Sequence, residues 1–420
     1  LKNEETSKDL HLSFDECYFT SNKQEGAIYC DSNQNKGNTF LTITDCHFHD
    51  NQHAEKGGGA IYANTKHDIA IEKCKFTSNS AEKGASICID PDFEGETTGS
   101  KITISDCNFN QNTPLKEGTS SIYISSSSNK NLLFELCTFE DENGGLYIDN
   151  FNQDITITTT TFYNVNNGPA LYLTETSTTI NINVDGLVFD SCKGNENKCF
   201  YFLTETNNID IHNWVLQNLV GTGVNSYFGT FDVKDQRSYT LKNVSFINNI
   251  CDSLYGGGAG IRFIEFGSLN IIECKFINNS AKQNKEASRP SSNEKNYYNG
   301  DGGARQIGYH CKIYDMDVVF SECIFKDNRA QRHGGAIAAQ TYHGLSIDQC
   351  FFENNIANYD FSSSMNLLFD INNYYDLKSE GRGGAIYVNP AFSYEASGDC
   401  PAVTTHMTSL EISKCNFTSN

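Results

Sequence analysis

The sequence has no helical signature: none of its 420 residues fall into a long stretch with apolar side chains at helical spacing. Asn, Gly, Thr, Ser, Ile, Phe and Tyr are prominent instead, a composition that favours strands. Long apolar runs are also missing. None approaches the roughly 18 to 20 residues of a membrane span, and residues 1–10 lack the cationic and apolar regions of a signal peptide. Positive charge is scarce, with 31 Lys and Arg against 52 Asp and Glu. The resulting formal charge of −21 argues against nucleic acid and anionic membranes as partners. No Cys-x-x-Cys pair, nucleophile elbow, phosphate-cradling loop or HExxH segment occurs, which removes the common zinc, hydrolase, nucleotide and metalloprotease readings.

What the chain does have is repetition. Cys-x-Phe-x-x-Asn occurs at Cys17/Phe19/Asn22, Cys46/Phe48/Asn51, Cys74/Phe76/Asn79 and Cys107/Phe109/Asn112, then without its Asn at Cys137/Phe139. It returns at Cys274/Phe276/Asn279, Cys323/Phe325/Asn328, Cys350/Phe352/Asn355 and Cys415/Phe417/Asn420. Between these blocks Phe162, Phe189 and Phe246 hold the aromatic position without the Cys, and Trp214 is assigned to the same position. A second motif alternates with the first: Gly26-Ala27-Ile28-Tyr29, Gly58-Gly59-Ala60-Ile61-Tyr62, Gly144-Gly145-Leu146-Tyr147, Gly334-Gly335-Ala336-Ile337 and Gly383-Gly384-Ala385-Ile386-Tyr387. Glycine supplies positive φ at no steric cost, so each pair turns the chain into a following strand that Ile and Tyr enter. Period-two pairs such as Leu41/Ile43, Ile69/Ile71 and Ile102/Ile104 precede the Cys motifs and mark a third strand.

Self-similarity at this period marks a stacked architecture in which no unit buries its apolar face alone. The fold class is therefore all-β, a parallel β-helix of about 12–13 coils of roughly 29 residues with loop insertions. Residues 1–420 read as one β-helix segment of a longer chain, because neither end carries a cap. Coils are regular over 1–140 and 244–420 and degenerate over 141–243, with insertions at 280–300, 357–381 and 389–408. Stacking predicts ladders: the nine motif cysteines in a column of small thiols, the motif phenylalanines in an aromatic column, and the asparagines at a corner. Long loops on a rigid scaffold display binding residues, here Tyr359, Phe361, Tyr374 and Tyr375 in one insertion and Phe392 and Tyr394 in another.

In-register motif cysteines have parallel Cβ vectors and are expected as buried thiols. A local Cys192–Cys199 bridge and a tie from Cys400 stay open. No cofactor is implied. The weak calcium candidate Asn299-Gly300-Asp301-Gly302-Gly303 lacks the remaining ligands of an EF-hand or of the repeated calcium-binding nonapeptide. Glu16, Asp45, Asp106, Glu273 and Glu322 recur just before the Cys and suit a solvated corner better than a unique catalytic pair, so the chain reads as a non-enzyme. Asn243, Asn278 and Asn416 head glycosylation sequons.

Phe-x-x-Asn followed by Gly-Gly-Ala-Ile, as in Phe48 to Asn51 with Gly58 to Ile61 and Phe325 to Asn328 with Gly334 to Ile337, resembles the polymorphic outer membrane protein repeats of chlamydial surface autotransporters. Similar repeats occur in surface proteins of some protists, and the Cys before each Phe resembles those versions. The resemblance implies a right-handed parallel β-helix outside the cell or at its surface, with adhesion as its role and no catalytic residues to carry over. The leading expectation is a surface-displayed rod acting by non-covalent binding to a host-cell receptor or glycan. The alternative is a fibre subunit whose partners are further copies of itself, and the third is a carbohydrate-active enzyme. Any membrane anchor is expected outside this segment.

Overall fold

The computed structural model describes residues 9–31, 39–65, 67–90, 100–116, 120–125, 130–175, 181–193, 199–204, 208–223, 229–253, 261–283, 305–307, 317–330, 334–339, 344–357, 384–388, 391–394, 403–406 and 409–420. They form two compact units. One comprises Leu1–Leu219, Phe228–Val244 and Ile261–Phe266, and the other Val220–Tyr227, Ser245–Gly260 and Gly267–Asn420. Among the described residues every regular element is a strand.

In the first unit three strands recur from coil to coil, and Gln52–Gly57, Ser80–Lys83 and Thr113–Pro114 add a short fourth stack. The first face stacks Leu10–Asp15, Thr39–Thr44, Ile69–Glu72, Ser100–Ser105, Lys130–Glu135, Ile155–Thr158 and Ile182–Asp185 in parallel. The second stacks three-residue strands from Tyr18–Thr20 through His47–His49, Lys75–Thr77, Asn108–Asn110, Thr138–Glu140, Thr161–Tyr163 and Val188–Asp190 to Val215–Gln217. The third stacks the glycine-led strands Ile28–Asp31, Ile61–Asn64, Ile87–Ile89, Ile122–Ser125, Leu146–Phe151, Leu171–Glu175 and Phe200–Thr204. This is a parallel β-helix. Register holds through the degenerate stretch, where Phe162, Phe189 and Leu216 still pair in line.

The second unit repeats the plan. Ser245–Ile247, Lys275–Ile277, Ile324–Lys326, Phe351–Glu353 and Asn416–Thr418 stack in parallel. Asp317–Ser321, Gly344–Asp348 and Ser409–Ser413 form the face before them, and Arg305–Ile307, Ile337–Ala339 and Ile386–Val388 the glycine-led face. Ser280–Gln283 continues the stack as a strand, so the first insertion begins after it. Within the 389–408 insertion Ala391–Tyr394 and Val403–His406 pair as an antiparallel hairpin.

Period-two burial explains the interior. Leu41 and Ile43, Ile69 and Ile71, and Ile102 and Ile104 all point inward. The second face adds a continuous aromatic stack, Phe19–Phe48 at 4.8 Å, Phe48–Phe76 and Phe76–Phe109 at 4.9 Å, and onward through Phe139, Phe162 and Phe189. In the second unit Phe246, Phe276, Phe325, Phe352 and Phe417 stack at 4.7–4.8 Å. These spacings match the separation of hydrogen-bonded strands, so the backbone repeat sets the ring contact. A buried Phe of this kind is worth about 3–5 kcal/mol over Ala.

Two left-handed residues bracket each three-residue strand. One lies just before the Cys position, as in Asp45 (φ 49°), Lys73 (53°) and Asp106 (53°), and the other two after the Phe, as in Asp50 (55°), Ser78 (55°) and Gln111 (55°). Asn, Asp and Gly tolerate this region best, and Asp45, Asp106, Asn213 and Asn243 are among the residues at the first corner. The glycine pair divides its labour: Gly58 takes φ 78°, whereas a Cβ on Gly59 would lie 2.3 Å from the Ala85 carbonyl oxygen of the next coil. Thr159 is the misfit, a β-branched residue at φ 48° on an exposed corner. Thr159→Asn should therefore stabilise the fold by about 1 kcal/mol, read as a higher urea midpoint at an unchanged slope. An unchanged or lower midpoint would show that the corner carries no such strain.

Candidate functional site

The second corner is polar, buried and saturated with hydrogen bonds. Asn79 Nδ2 donates to Asn112 Oδ1 and to Phe48 O, both at 3.0 Å, and Asn79 N donates to the same Oδ1 at 2.9 Å. Its own Oδ1 accepts from Asn51 N and Nδ2 at 3.1 and 3.0 Å. Asn51 and Asn112 repeat the pattern on either side. Asn279, Asn328 and Asn355 form an equivalent ladder in the second unit, with Nδ2 donating to the Phe246, Phe276 and Phe325 carbonyls. A turn inside a stack strands backbone donors and acceptors, and these amides satisfy them.

Where the motif loses its Asn, a different residue fills the slot. Glu142 lies three residues after Phe139, fully buried, and its Oε1 accepts from Asn112 N at 3.1 Å and Nδ2 at 2.7 Å. Ser121 Oγ hydrogen-bonds its Oε2. Cys192 holds the slot after Phe189, its Sγ donating to Phe162 O at 3.3 Å, as an Asn amide would. Cys199 is not bridged to it; instead its Sγ donates to the Cys192 carbonyl at 3.3 Å, so the local disulfide is replaced by two separate thiols. Trp214 likewise departs from its aromatic-position assignment. Leu216 pairs with Phe189, whereas Trp214 occupies the Cys slot and donates Nε1 to Val184 O at 3.2 Å.

The motif cysteines form a thiol column. Cys46, Cys74, Cys107 and Cys137 each donate to the carbonyl two residues earlier at 3.1–3.3 Å, across the left-handed corner. Burial pushes Cys46 up to about 11. Cys74 rises further through its hydrogen bond with Cys107 and through burial, and Cys107 rises through burial first. In the second unit Cys323, Cys350 and Cys415 make the same bonds to Ser321, Asp348 and Ser413, and Cys274 donates to Ile272 O. Cys46, Cys74 and Cys107, held neutral in this way, pack and donate. Cys17 and Cys415 are partly exposed.

Lys130 is a second enclosed titratable group. Its Nζ donates to Thr65 O and His67 O, both at 2.6 Å, and to Thr65 Oγ1 at 3.3 Å, tying down a turn two coils away. Burial lowers its pKa to about 7, opposed in part by Asp68 and Cys30.

The outward side of the glycine-led face is the candidate site. Along Ile28-Tyr29-Cys30-Asp31 the Ile and Cys are buried and the Tyr and Asp half-exposed, and stacking aligns Tyr29, Tyr62, Cys88, Tyr123, Tyr147, Tyr172 and Tyr201. The rings stack at 4.9 Å for Tyr29–Tyr62, then at 5.5, 4.1 and 5.2 Å from Tyr123 to Tyr201. Cys88, enclosed beside Gly57, interrupts the column, and there Lys83 Nζ lies 4.9 Å from the Tyr123 ring centre. A polar column runs alongside. Ser125 Oγ donates to Asp90 Oδ1 at 2.6 Å, Tyr123 Oη to Asp149 Oδ2 at 3.1 Å, and Thr174 Oγ1 to Asp149 Oδ1 at 3.2 Å. Burial raises the Tyr62, Tyr123 and Tyr147 hydroxyls, with Cys88 and Asp90 adding for Tyr62 and Asp149 for Tyr123. The Gly-Gly-Ala-Ile-Tyr motif displays these tyrosines, and the period-two alternation is the signal that they face outward.

Other assigned residues lie apart from this face. Tyr359, Phe361, Tyr374 and Tyr375, together with the calcium candidate at residues 299–303 and Cys400, fall outside the described residues. Phe392 and Tyr394 lie on the hairpin strand Ala391–Tyr394. Asn243, Asn278 and Asn416 are exposed, and Asn243 and Asn278 donate Nδ2 to Asn213 and Asn248 Oδ1 at 2.7 and 2.9 Å. Among the described residues no group of three His, Cys, Asp or Glu side chains comes together as a metal site.

Two family models match the chain. The model described as the right handed β-helix region matches residues 26–218, which gives the coils their hand and the protein its class, a right-handed parallel β-helix solenoid. The second, the Chlamydia polymorphic membrane protein repeat, matches residues 322–340, the segment containing Cys323, Phe325, Asn328 and Gly334 to Ile337. The chain is therefore a β-helix protein similar, through this repeat, to the polymorphic membrane proteins (Pmp). That likeness points to surface proteins of the autotransporter-adhesin kind and to an outer-membrane or surface location. No curated protein and no solved structure matches it.

Burial raises the Glu142 carboxyl well above its ordinary 4.5, so the native fold binds this proton more tightly than the unfolded chain does. Its contribution is full below pH 4.5 and is lost as pH rises through the folded value. Glu142→Gln keeps the acceptor for Asn112 and cannot ionise. The variant should match the parent in urea stability near pH 4 and exceed it increasingly towards pH 8. A stability difference that stays constant with pH would contradict a buried neutral carboxyl.

Proposed function

We propose that this chain belongs to an extracellular, surface-displayed β-helix that works by non-covalent binding, as an adhesin for host cells or glycans. The half-exposed tyrosine column of the first unit is the observation that carries this reading. Tyrosine supplies rigid contact area and a hydroxyl at low entropic cost. The Pmp likeness supports the same role. Binding rather than catalysis is proposed because the strongly perturbed groups, Glu142, Lys130 and the motif thiols, are enclosed and hydrogen-bonded within the stack. No cofactor is proposed. Glycosylation is proposed at the exposed asparagines Asn243, Asn278 and Asn416, with Asn243 and Asn278 giving up their Nδ2 hydrogen bonds.

Beads coated with the chain should attach to cultured host cells well above albumin-coated beads, and soluble chain should compete. Attachment no better than albumin would sink the adhesion reading. If such a preparation also assembled end to end into fibres, the structural alternative would replace it.

A further inference from the structure

We infer that the run from Tyr123 to Tyr201 binds an extended polysaccharide of neutral or amino-sugar units laid along the column, one sugar to each coil. This rests on the binding function proposed above and names its ligand class. The argument begins with the repeat. Tyr123, Tyr147, Tyr172 and Tyr201 present one phenol per coil, at ring spacings of 5.5, 4.1 and 5.2 Å. A ligand that sets one unit against each phenol must advance by that step from unit to unit. An extended peptide repeats its side chains every two residues, about 6.4–6.8 Å, and so falls out of step after a coil or two. A pyranose unit in an extended linear chain is about one coil long.

Surface chemistry makes the second selection. Because the rings stack on each other, they turn edges and hydroxyls outward and offer a ridge of donors and acceptors rather than a flat apolar platform. Beside them Asp90 and Asp149 accept, and both already bind hydroxyls, from Ser125, Thr174 and Tyr123. Sugar hydroxyls and amino groups suit such acceptors. Sulfated and carboxylated glycans do not. The chain carries a formal charge of −21, and the carboxylates of Asp90 and Asp149 along the run outweigh the one positive charge that Lys83 places over Tyr123 at its end.

The test is calorimetric titration of the whole chain with β-1,4-linked N-acetylglucosamine and glucose oligomers of increasing length, with heparin as the sulfated comparator. At least one series should gain roughly tenfold in affinity between the dimer and the hexamer, with heparin unbound. Tyr147→Phe with Tyr172→Phe keeps the stacked rings and removes two hydroxyls, and Asp149→Asn removes a charge. Each variant should weaken the hexamer roughly tenfold while leaving the unfolding midpoint close to the parent's. Failure of every oligomer to bind, affinity indifferent to length or to these substitutions, or preference for heparin would each overturn the inference. If coated beads still attached to cells in that event, the ligand class alone would fall; if attachment failed too, the adhesion reading would fall with it.

Discussion

Each corner asparagine binds three coils at once, and the regularity of the stack depends on it. A β-helix must turn inside its own wall, where water cannot reach the backbone. Asn79 meets that constraint by bonding Asn51 and Phe48 on one side and Asn112 on the other. A carboxamide suits the position because it offers two donors and an acceptor in one plane. With the corner fixed, the short strand after the Cys has one register, and the Phe rings and thiols align without further specification. Left-handed residues on both sides of that strand then follow from the sharpness of the turns.

The fold was legible because this constraint recurs at the same offset in most coils. Cys46, Phe48 and Asn51 show the period, and Gly58 and Gly59 show where the chain turns next. Legibility failed where one chemistry was replaced by another that does the same job. Glu142 continues the corner ladder as a buried carboxyl, and Cys192 supplies one leg of it with a thiol, yet neither matches an Asn motif. Trp214 misleads because an aromatic suggests the Phe column. It sits in the Cys slot while Leu216 takes the Phe slot, with Phe189 and Phe200 packed 5.5 and 5.4 Å from its ring.

The candidate site was half legible. Tyr29, Tyr62 and Tyr147 stand out after the glycine pairs, but a tyrosine entering a strand reads equally as core or surface until the Ile beside it is assigned inward. Long insertions display binding residues on many scaffolds, and Tyr359, Phe361, Tyr374 and Tyr375 of that expectation lie outside the described residues. The tyrosine column follows a second principle: a repeat scaffold builds an extended surface from its regular strands, where stacking holds each side chain beside the next. Such a face is rigid in advance of binding, which limits the entropy lost when a long ligand docks.

The most direct test of this account is the urea unfolding free energy of Asn79→Ala beside Asn108→Ala. Asn108 lies on the short strand of the next coil, at an outward position of its alternating pattern. Removing Asn79 strands the Phe48 carbonyl and takes the shared acceptor from Asn51, so a loss above about 3 kcal/mol is predicted, against under about 1 kcal/mol for Asn108. Equal, small losses at the two positions would show that aromatic stacking alone holds the coils and that the corner ladder is incidental.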